Sequence, residues 1–274
     1  MTAPSTTTAF PAAPDTIEHK SKLAWAVSDA AAVAHRNLIA LFRVPTTLVF
    51  STIQPVIFVL MFRYVFGGSI TIPGIRYVDY LMAGIFVQTV TFGSINTGIG
   101  LAEDLQKGLI ERFRSLAMAR SAVLAGRTLA DAVRNLFVII LMILVGVAVG
   151  FRPDTTPLAF VAGVGIMLLF GFAMSWVMAL IGLSTGNAEA AQAASFPIMA
   201  LLVFASNSFV STRNMPGPLR AYAEHQPVTA TVNAVRALMN GGPTTGRVIS
   251  AVAWSLAIVA VFAPLAVRRY RRTA

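Results

Sequence analysis

The chain contains no cysteine and has few charged residues. The absence of cysteine excludes disulfides, thiol nucleophiles and thiolate metal sites. Only 12% of its 274 residues are charged, and 56% are hydrophobic. Soluble domains of this size usually carry about 25% charged residues. Together with a mean hydropathy of +0.73, this composition indicates an integral membrane protein.

Several functional classes lack the residues that they need. No G-x-x-x-x-G-K-[ST] phosphate loop is present, so the chain is not expected to bind ATP in the usual way. The three histidines (His19, His35 and His225) are scattered, and no cluster of ligands suits a metal. Because no catalytic arrangement is visible either, we predict no catalytic residue, no metal site and no cofactor bound by this chain.

Six apolar segments predict six transmembrane helices in an all-α fold, each near the length of about 20 residues that a bilayer requires. They lie at about 46–66, 78–101, 131–150, 158–183, 189–209 and 248–267. Residues 1–21 have no apolar core and are expected to be a disordered tail, whereas 268–274 form a basic tail. Residues 22–267 are therefore predicted to be a single transmembrane domain.

Basic residues predict that both termini are cytoplasmic. Fourteen arginines and lysines fall on the predicted cytoplasmic side and seven on the outer side, which matches the positive-inside rule. The net charge of +10 does not predict a nucleic-acid partner, because the charges lie at the ends of spans rather than on one soluble face. Eighteen arginines against three lysines are typical of a GC-rich bacterial genome, so we expect a bacterial plasma membrane.

Acidic residues are missing from the middle of the predicted spans. Asp131 and Glu189 lie at the edges of the third and fifth spans. Proton-coupled carriers usually need a carboxylate or histidine inside the membrane. The pattern therefore argues against a transporter that powers itself.

A charged island between the second and third spans must lie in water. Ten charges occupy residues 103–134, and placing them in hydrocarbon at about 3 kcal/mol each would cost roughly 30 kcal/mol. Leu105, Leu109, Phe113 and Leu116 recur there at helical spacing, which predicts an amphipathic helix over about 105–116. This helix is either a solvated loop helix or a docking helix for a soluble partner.

A second amphipathic helix is predicted before the first span, over residues 22–43. Lys22, Asp29, Arg36 and Arg43 recur every seven residues opposite an apolar face. Such a helix lies in the membrane surface. It serves either as a simple anchor or as a contact for a cytoplasmic partner.

The outer loop at 206–246 and the second span contain the remaining signals. Val228 to Leu238 are spaced as an apolar helix that Gly241-Gly242-Pro243 ends, and this helix is either a re-entrant lid or a passive interfacial element.

The second span is polar, with Gln88, Thr89 and Asn96 among its residues, and Gln54 lies in the first span. These side chains either form interhelical hydrogen bonds or line a path for an amphipathic substrate.

The chain after the tail resembles the drug-exporting branch of the ABC-2 type permeases, which includes daunorubicin resistance permeases. One part of the resemblance is Gly108-Leu109-Ile110-Glu111-Arg112-Phe113-Arg114-Ser115-Leu116 with Arg120, Leu124-Ala125-Gly126-Arg127 and Asp131. The other part is Asn207 to Val210, Met215-Pro216, Pro227-Val228-Thr229 and Arg236. Gln226 stands where the family usually has asparagine.

The resemblance implies a coupling helix that docks on a separate ATPase subunit, which would bind ATP and Mg. The residues expected at this contact are Leu105, Gly108, Leu109, Glu111, Arg112, Phe113, Arg114, Arg36 and Arg43. It also implies a pair of permease chains, identical or different, that exports a hydrophobic or amphipathic compound such as a drug, an antibiotic or a lipid. The expected substrate path includes Gln54, Gln88, Asn96, Phe204, Asn207 and Phe209. The alternatives are export of a lipid-linked glycan and a membrane scaffold independent of ATP.

Overall fold

The structure, a computed structural model, describes residues 45–68, 72, 74–108 and 120–273, and all regular elements in these ranges are helical. The helices are α1 (Pro45–Leu60, continued by the π-helical turn Met61–Val65), α2 (Tyr77–Gly93), α3 (Ile95–Gln106), α4 (Arg120–Ala148), α5 (Pro157–Thr185), α6 (Ala188–Phe204), α7 (Gly217–His225), α8 (Pro227–Asn240) and α9 (Thr245–Thr273). The predicted tail at 1–21 and the predicted amphipathic helix at 22–43 lie outside the described residues.

Within the described ranges, four helical stretches are long and apolar enough to cross a membrane. They are Tyr77–Gln106, Leu124–Ala148, Pro157–Thr185 and Thr245–Arg272. Thr52–Val65 and Ala188–Phe204 are apolar but shorter. The predicted all-helical membrane fold is therefore confirmed for the described chain, and four of the six predicted spans have full length.

Helix α5 lies at the centre of the bundle and packs against α2, α3, α4, α6, α8 and α9. Its ends follow from local sequence. The Thr156 side chain accepts a hydrogen bond from the backbone N–H of Ala159, and Pro157 occupies the first turn. Gly186 ends the helix with φ of 64°, a left-handed conformation that glycine adopts without strain.

The crossing of α3 and α5 depends on two glycines. A Cβ atom at Gly182 would lie 2.1 Å from the carbonyl oxygen of Gly98, and one at Gly98 would lie 2.6 Å from the carbonyl oxygen of Met178. The two backbones are thus in direct contact, as small residues permit in membrane helices. This contact fixes α3 against the central helix.

The helices that carry two predicted spans have different bounds from the spans themselves. Helix α4, which carries the third span, begins at Arg120, before the predicted start of the span at 131. The helix of the fifth span ends at Phe204 rather than at 209. Beyond it, the Ser206 hydroxyl donates to the carbonyl oxygen of Val203 and hydrogen-bonds to the Ser208 hydroxyl.

Two further elements differ from their predicted form. The basic residues predicted as a tail after 267 continue α9 to Thr273. The predicted helix over 105–116 does not start at Leu105, since α3 ends at Gln106 and Gly108 has φ of 63°. Leu105 thus belongs to the last turn of α3, which ends before the turn at Gly108.

Candidate functional site

A polar pocket lies between α1, the α2–α3 junction and α4. It brings together Gln54, Gln88 and Asn96, three of the six residues predicted for a substrate path. Its volume is about 90 Å³. Since a cavity needs about 10–15 Å³ of such space to hold one water, the pocket has room for several waters or for one polar group of a larger molecule. The other lining residues are Pro55, Thr89, Phe92, Gly93, Arg134, Asn135 and Val138.

Arg134, which lines this pocket, forms an ion pair with Asp131. Arg134 Nη1 lies 3.3 Å from Asp131 Oδ1, and the two side chains are 9% and 13% exposed. Arg134 Nη2 donates to the carbonyl oxygen of Gly93 at 2.5 Å, and Thr97 Oγ1 donates to Asp131 Oδ2. Two helices, α3 and α4, are therefore joined by a nearly buried charged network.

Asp131 lies within helix α4, at the predicted start of the third span. The charge is tolerated because Arg134 and Thr97 compensate it. The i, i+3 spacing of the two opposite charges was the available signal, and an ionisable pair inside a span is a functional candidate by default.

Two polar atoms near this network have no partner among the described residues. They are Gln88 Oε1, an acceptor, and Asn135 Nδ2, a donor, and both are buried. A buried polar atom left without a hydrogen bond costs about 1–3 kcal/mol. Both residues line the pocket, so the pocket offers one acceptor and one donor to a bound polar group or to water.

A cluster of phenylalanines lies next to the pocket and includes two more of the predicted path residues. Phe209 stacks on Phe62 with ring centroids 4.6 Å apart and an interplanar angle of 6°. Phe204 lies 5.6 Å from Phe209, and Phe58 lies 6.2 Å from both Phe204 and Phe209. We call Phe58, Phe62, Phe204 and Phe209 the phenylalanine cluster.

One face of α1 connects the polar pocket with the phenylalanine cluster. Gln54, Phe58 and Phe62 are spaced i, i+4 and i+8, which places them on the same side of a helix over about 12 Å. Phe58 and Phe62 stack with centroids 6.0 Å apart. The π-helical turn Met61–Val65 follows at once, and such turns occur frequently at functional sites. Polar and aromatic groups thus form one continuous stripe.

Asn207, the sixth predicted path residue, belongs to a different arrangement that fastens the irregular segment 205–211 to α2 and α8. Its side-chain Nδ2 donates to Asn233 Oδ1 at 2.6 Å, and its carbonyl oxygen accepts from Tyr80 OH at 3.0 Å. Gly84 makes this approach possible, because a Cβ there would lie 1.9 Å from the carbonyl oxygen of Ser208. The predicted role of Asn207 as a lining residue stays a prediction.

Arg236 on α8 is the centre of this arrangement. Its guanidinium carbon lies 3.6 Å from the centroid of the Tyr80 ring, and its Nη2 donates to the carbonyl oxygens of Tyr80 at 3.3 Å and Asn207 at 3.1 Å. Sequence reasoning named Arg236 only as part of the family resemblance. We call Tyr80, Asn207 and Arg236 the outer lock.

Gln226 links α8 to the end of α6, close to the outer lock. Its Oε1 accepts from the backbone N–H of Val228 and caps α8, while its Nε2 donates to the carbonyl oxygen of Leu202 at 2.7 Å. One side chain therefore starts α8 and ties it to the end of α6. The predicted helix over Val228 to Leu238 is confirmed as α8, and it ends before Gly241 with φ of 81°.

An ion pair on the surface helix α7 lowers the pKa of a glutamate. Arg220 Nε donates to Glu224 Oε1 at 2.7 Å, and this hydrogen bond, with the charge of Arg220, holds the pKa of the Glu224 carboxyl below its usual value. Glu224 therefore stays ionised at neutral pH.

The predicted coupling residues are only partly within the described chain. Leu105 packs against the cluster of Leu101, Leu124, Trp176 and Tyr270 at one end of the bundle. Gly108 lies in the turn after α3. Leu109, Glu111, Arg112, Phe113, Arg114, Arg36 and Arg43 lie outside the described residues. No group of three or more potential metal ligands occurs within the ranges that the structure describes.

Comparison with known proteins decides the family. Residues 29–240 match the model of the ABC-2 type transporter, which is more than half of the chain. The chain belongs to the ABC-2 type transporter family. The matched segment contains the polar pocket, the phenylalanine cluster and the outer lock, so all three are features of the family domain in this chain.

Relatives in this family are permeases named for drug resistance. The chain is 34% identical over 236 residues to the daunorubicin resistance ABC transporter permease protein DrrB1 of Streptomyces coeruleorubidus, covering 86% of this chain and 83% of that protein. It is 26% identical over 234 residues to the probable doxorubicin resistance ABC transporter permease protein DrrC of Mycobacterium tuberculosis, covering 82% of each. As a member of the ABC-2 type transporter family, this chain is a transport component.

Proposed function

We propose that this chain is the permease subunit of an ATP-driven exporter that moves a hydrophobic or amphipathic compound out of the cytoplasm or the inner leaflet. A separate ATPase would bind ATP and Mg, and a second permease chain, identical or different, would complete the complex. Support comes from the family, from the names of the relatives and from the absence of a phosphate-loop motif in this sequence. The proposed location is a bacterial plasma membrane with six spans and both termini inside.

The observation that carries this proposal is the stripe from the polar pocket to the phenylalanine cluster. An amphipathic compound with a flat aromatic part needs both surfaces. Ring faces at centroid distances of 4.6 to 6.2 Å already stack on one another in the cluster. The pocket supplies hydrogen-bonding groups for hydroxyl or carbonyl oxygens. We infer that the compound enters beside α1, α2 and α6 and leaves past the outer lock.

Daunorubicin combines fused rings with hydroxyl and carbonyl groups, and the first relative is named for resistance to it. It is therefore the probe of choice. A lipid-linked glycan, the alternative cargo, has no flat aromatic system and would not use the phenylalanine cluster. Daunorubicin transport therefore distinguishes drug export from export of a lipid-linked glycan.

The test compares Phe204→Ala with Phe137→Ala in vesicles that contain the permease and its ATPase. The two side chains are matched in exposure, at 47% and 43%. Phe204 stacks in the cluster, whereas Phe137 on α4 has no ring partner among the described residues. An aromatic pair contributes about 0.5–1.5 kcal/mol. We expect Phe204→Ala to raise the half-saturating daunorubicin concentration of ATP-driven uptake about 3- to 10-fold.

Phe137→Ala should leave this concentration unchanged, and both variants should keep basal ATPase activity. Equal shifts in the two variants would assign the effect to a general loss of apolar surface. Unaltered daunorubicin uptake in Phe204→Ala would remove the cluster from the substrate path.

A further inference from the structure

The basic end of α9 forms a hollow rather than an evenly charged tail. Leu265, Arg268, Arg269 and Arg272 are spaced i, i+3, i+4 and i+7, which places them on one face of the helix. Together with Leu180 of α5 they line a hollow of about 280 Å³. Arg271, one residue before Arg272, does not line it.

The hollow lies at the end of the bundle from which the charged island leaves. On another face of α9, Ala266 and Tyr270 are buried with Leu101 and Trp176. Leu105, near the end of α3, packs against the same cluster. Packing therefore fixes α9 near Ala266 and Tyr270. Its arginines lie in the last turns of the helix, beyond the apolar part.

Two of the three arginines that line the hollow have no acidic partner in the described chain. Arg268 and Arg272 are exposed, and neither forms an ion pair with any acidic residue that the structure describes. The remaining wall is apolar, since it consists of Leu180 and Leu265. A ligand that fits this surface is anionic at one end and apolar at the other.

We propose that this hollow binds the headgroup of an anionic phospholipid, with its acyl chains along Leu180 and Leu265. Guanidinium groups bind phosphate through paired hydrogen bonds. Clusters of basic residues beside a span attract anionic lipids. A volume of about 280 Å³ is at the lower end of small-molecule pockets, so the hollow accommodates a headgroup and not a whole lipid. The lipid is a bound component of the permease and not its cargo.

The test measures lipid selectivity in the complete permease–ATPase complex in mixed micelles. Spin-labelled phosphatidylglycerol and spin-labelled phosphatidylcholine are the probes, and the immobilised fraction of each is recorded. We expect the wild type to prefer phosphatidylglycerol. Arg268→Gln with Arg272→Gln should lower this preference about fivefold for each arginine removed. Arg271→Gln, which removes the same charge one residue away, should change it much less, because Arg271 does not line the hollow.

Three results would overturn the proposal. The first is equal binding of the two lipids by the wild type, which needs no variant to be folded. The second is an equal loss in Arg271→Gln, which would reduce the effect to general surface charge. The third is displacement of phosphatidylglycerol by glycerol phosphate at the same concentration, which would identify a free-phosphate site. Because lipid binding is read without transport, its failure is distinguishable from failure of the proposed export function.

Discussion

Replacing Asp131 by alanine is expected to destabilise the folded permease by about 3–5 kcal/mol, because Arg134 would remain as an unpaired buried charge. Arg134 is only 9% exposed, so its guanidinium would lose its acidic partner while remaining largely shielded from bulk solvent. Thr97 would lose its acceptor in the same substitution. The measurement is the free energy of unfolding in mixed detergent micelles, from titration with a denaturing detergent.

Glu103→Ala is the matched control. It also removes a carboxylate from a basic partner on the same turn, but Lys107 and Glu103 are 62% and 45% exposed. An exposed pair of this kind contributes about 0–1 kcal/mol. Similar losses in Asp131→Ala and Glu103→Ala would contradict the account of the buried network.

A double variant separates stability from function at this site. Replacing Asp131 and Arg134 together by leucine removes both charges, and buried ion pairs replaced by apolar residues often keep or gain stability. We expect the double variant to recover most of the loss in unfolding free energy and still to fail in daunorubicin transport, because the pocket has lost its polar wall. A fully active double variant would show that the pair is structural only.

Replacing Arg236 by alanine is expected to release the irregular segment 205–211 and to cost about 3 kcal/mol. The guanidinium contributes a desolvated contact to the Tyr80 ring, worth about 2 kcal/mol or more. It also donates to two backbone carbonyls, and each such charged hydrogen bond contributes about 1.5–3 kcal/mol. These contributions share one side chain and are not additive, so the expected total is smaller than their sum.

The direct readout is hydrogen exchange of the backbone amides at 205–211. In Arg236→Ala, these amides should exchange at least about tenfold faster than in the wild type. Tyr80→Phe keeps the ring under the guanidinium but removes the hydrogen bond to Asn207, so it should lose only about 1 kcal/mol. Arg220→Ala, which removes an exposed arginine from the nearby α7, should change neither quantity. Unaltered exchange in Arg236→Ala would contradict the outer lock.

Much of the helical fold could be predicted from sequence because its ends have local causes. Thr156 with Pro157 starts α5 and Gly186 ends it, and Gly241 ends α8. Contacts between helices could not be predicted in this way. The hydrogen bond from Thr97 to Asp131 depends on how α3 packs on α4. The arginines after 267 stay helical because Tyr270 is anchored in the core.

The candidate site was predicted in part. Polar residues of two spans identified the pocket, and Gln54, Gln88 and Asn96 do meet there. The i, i+4 repeat of Gln54, Phe58 and Phe62 predicts that they share one helix face. The stacking of Phe58 and Phe62 on Phe209 could not be predicted, because it depends on where α6 ends. The outer lock joins positions 80, 207 and 236, which only the tertiary fold brings together.

The measurement that tests the central claim most directly is the ATPase activity of the complex with charge reversals in the charged island. Glu111→Arg and Arg112→Glu alter the predicted docking surface, and Arg152→Glu makes the same kind of reversal at an exposed site at the other end of the bundle. The account predicts that both island variants lose co-purification of the ATPase and daunorubicin-stimulated turnover, while Arg152→Glu keeps both. Normal assembly and turnover in the island variants would contradict coupling of this permease to an ATPase through the island.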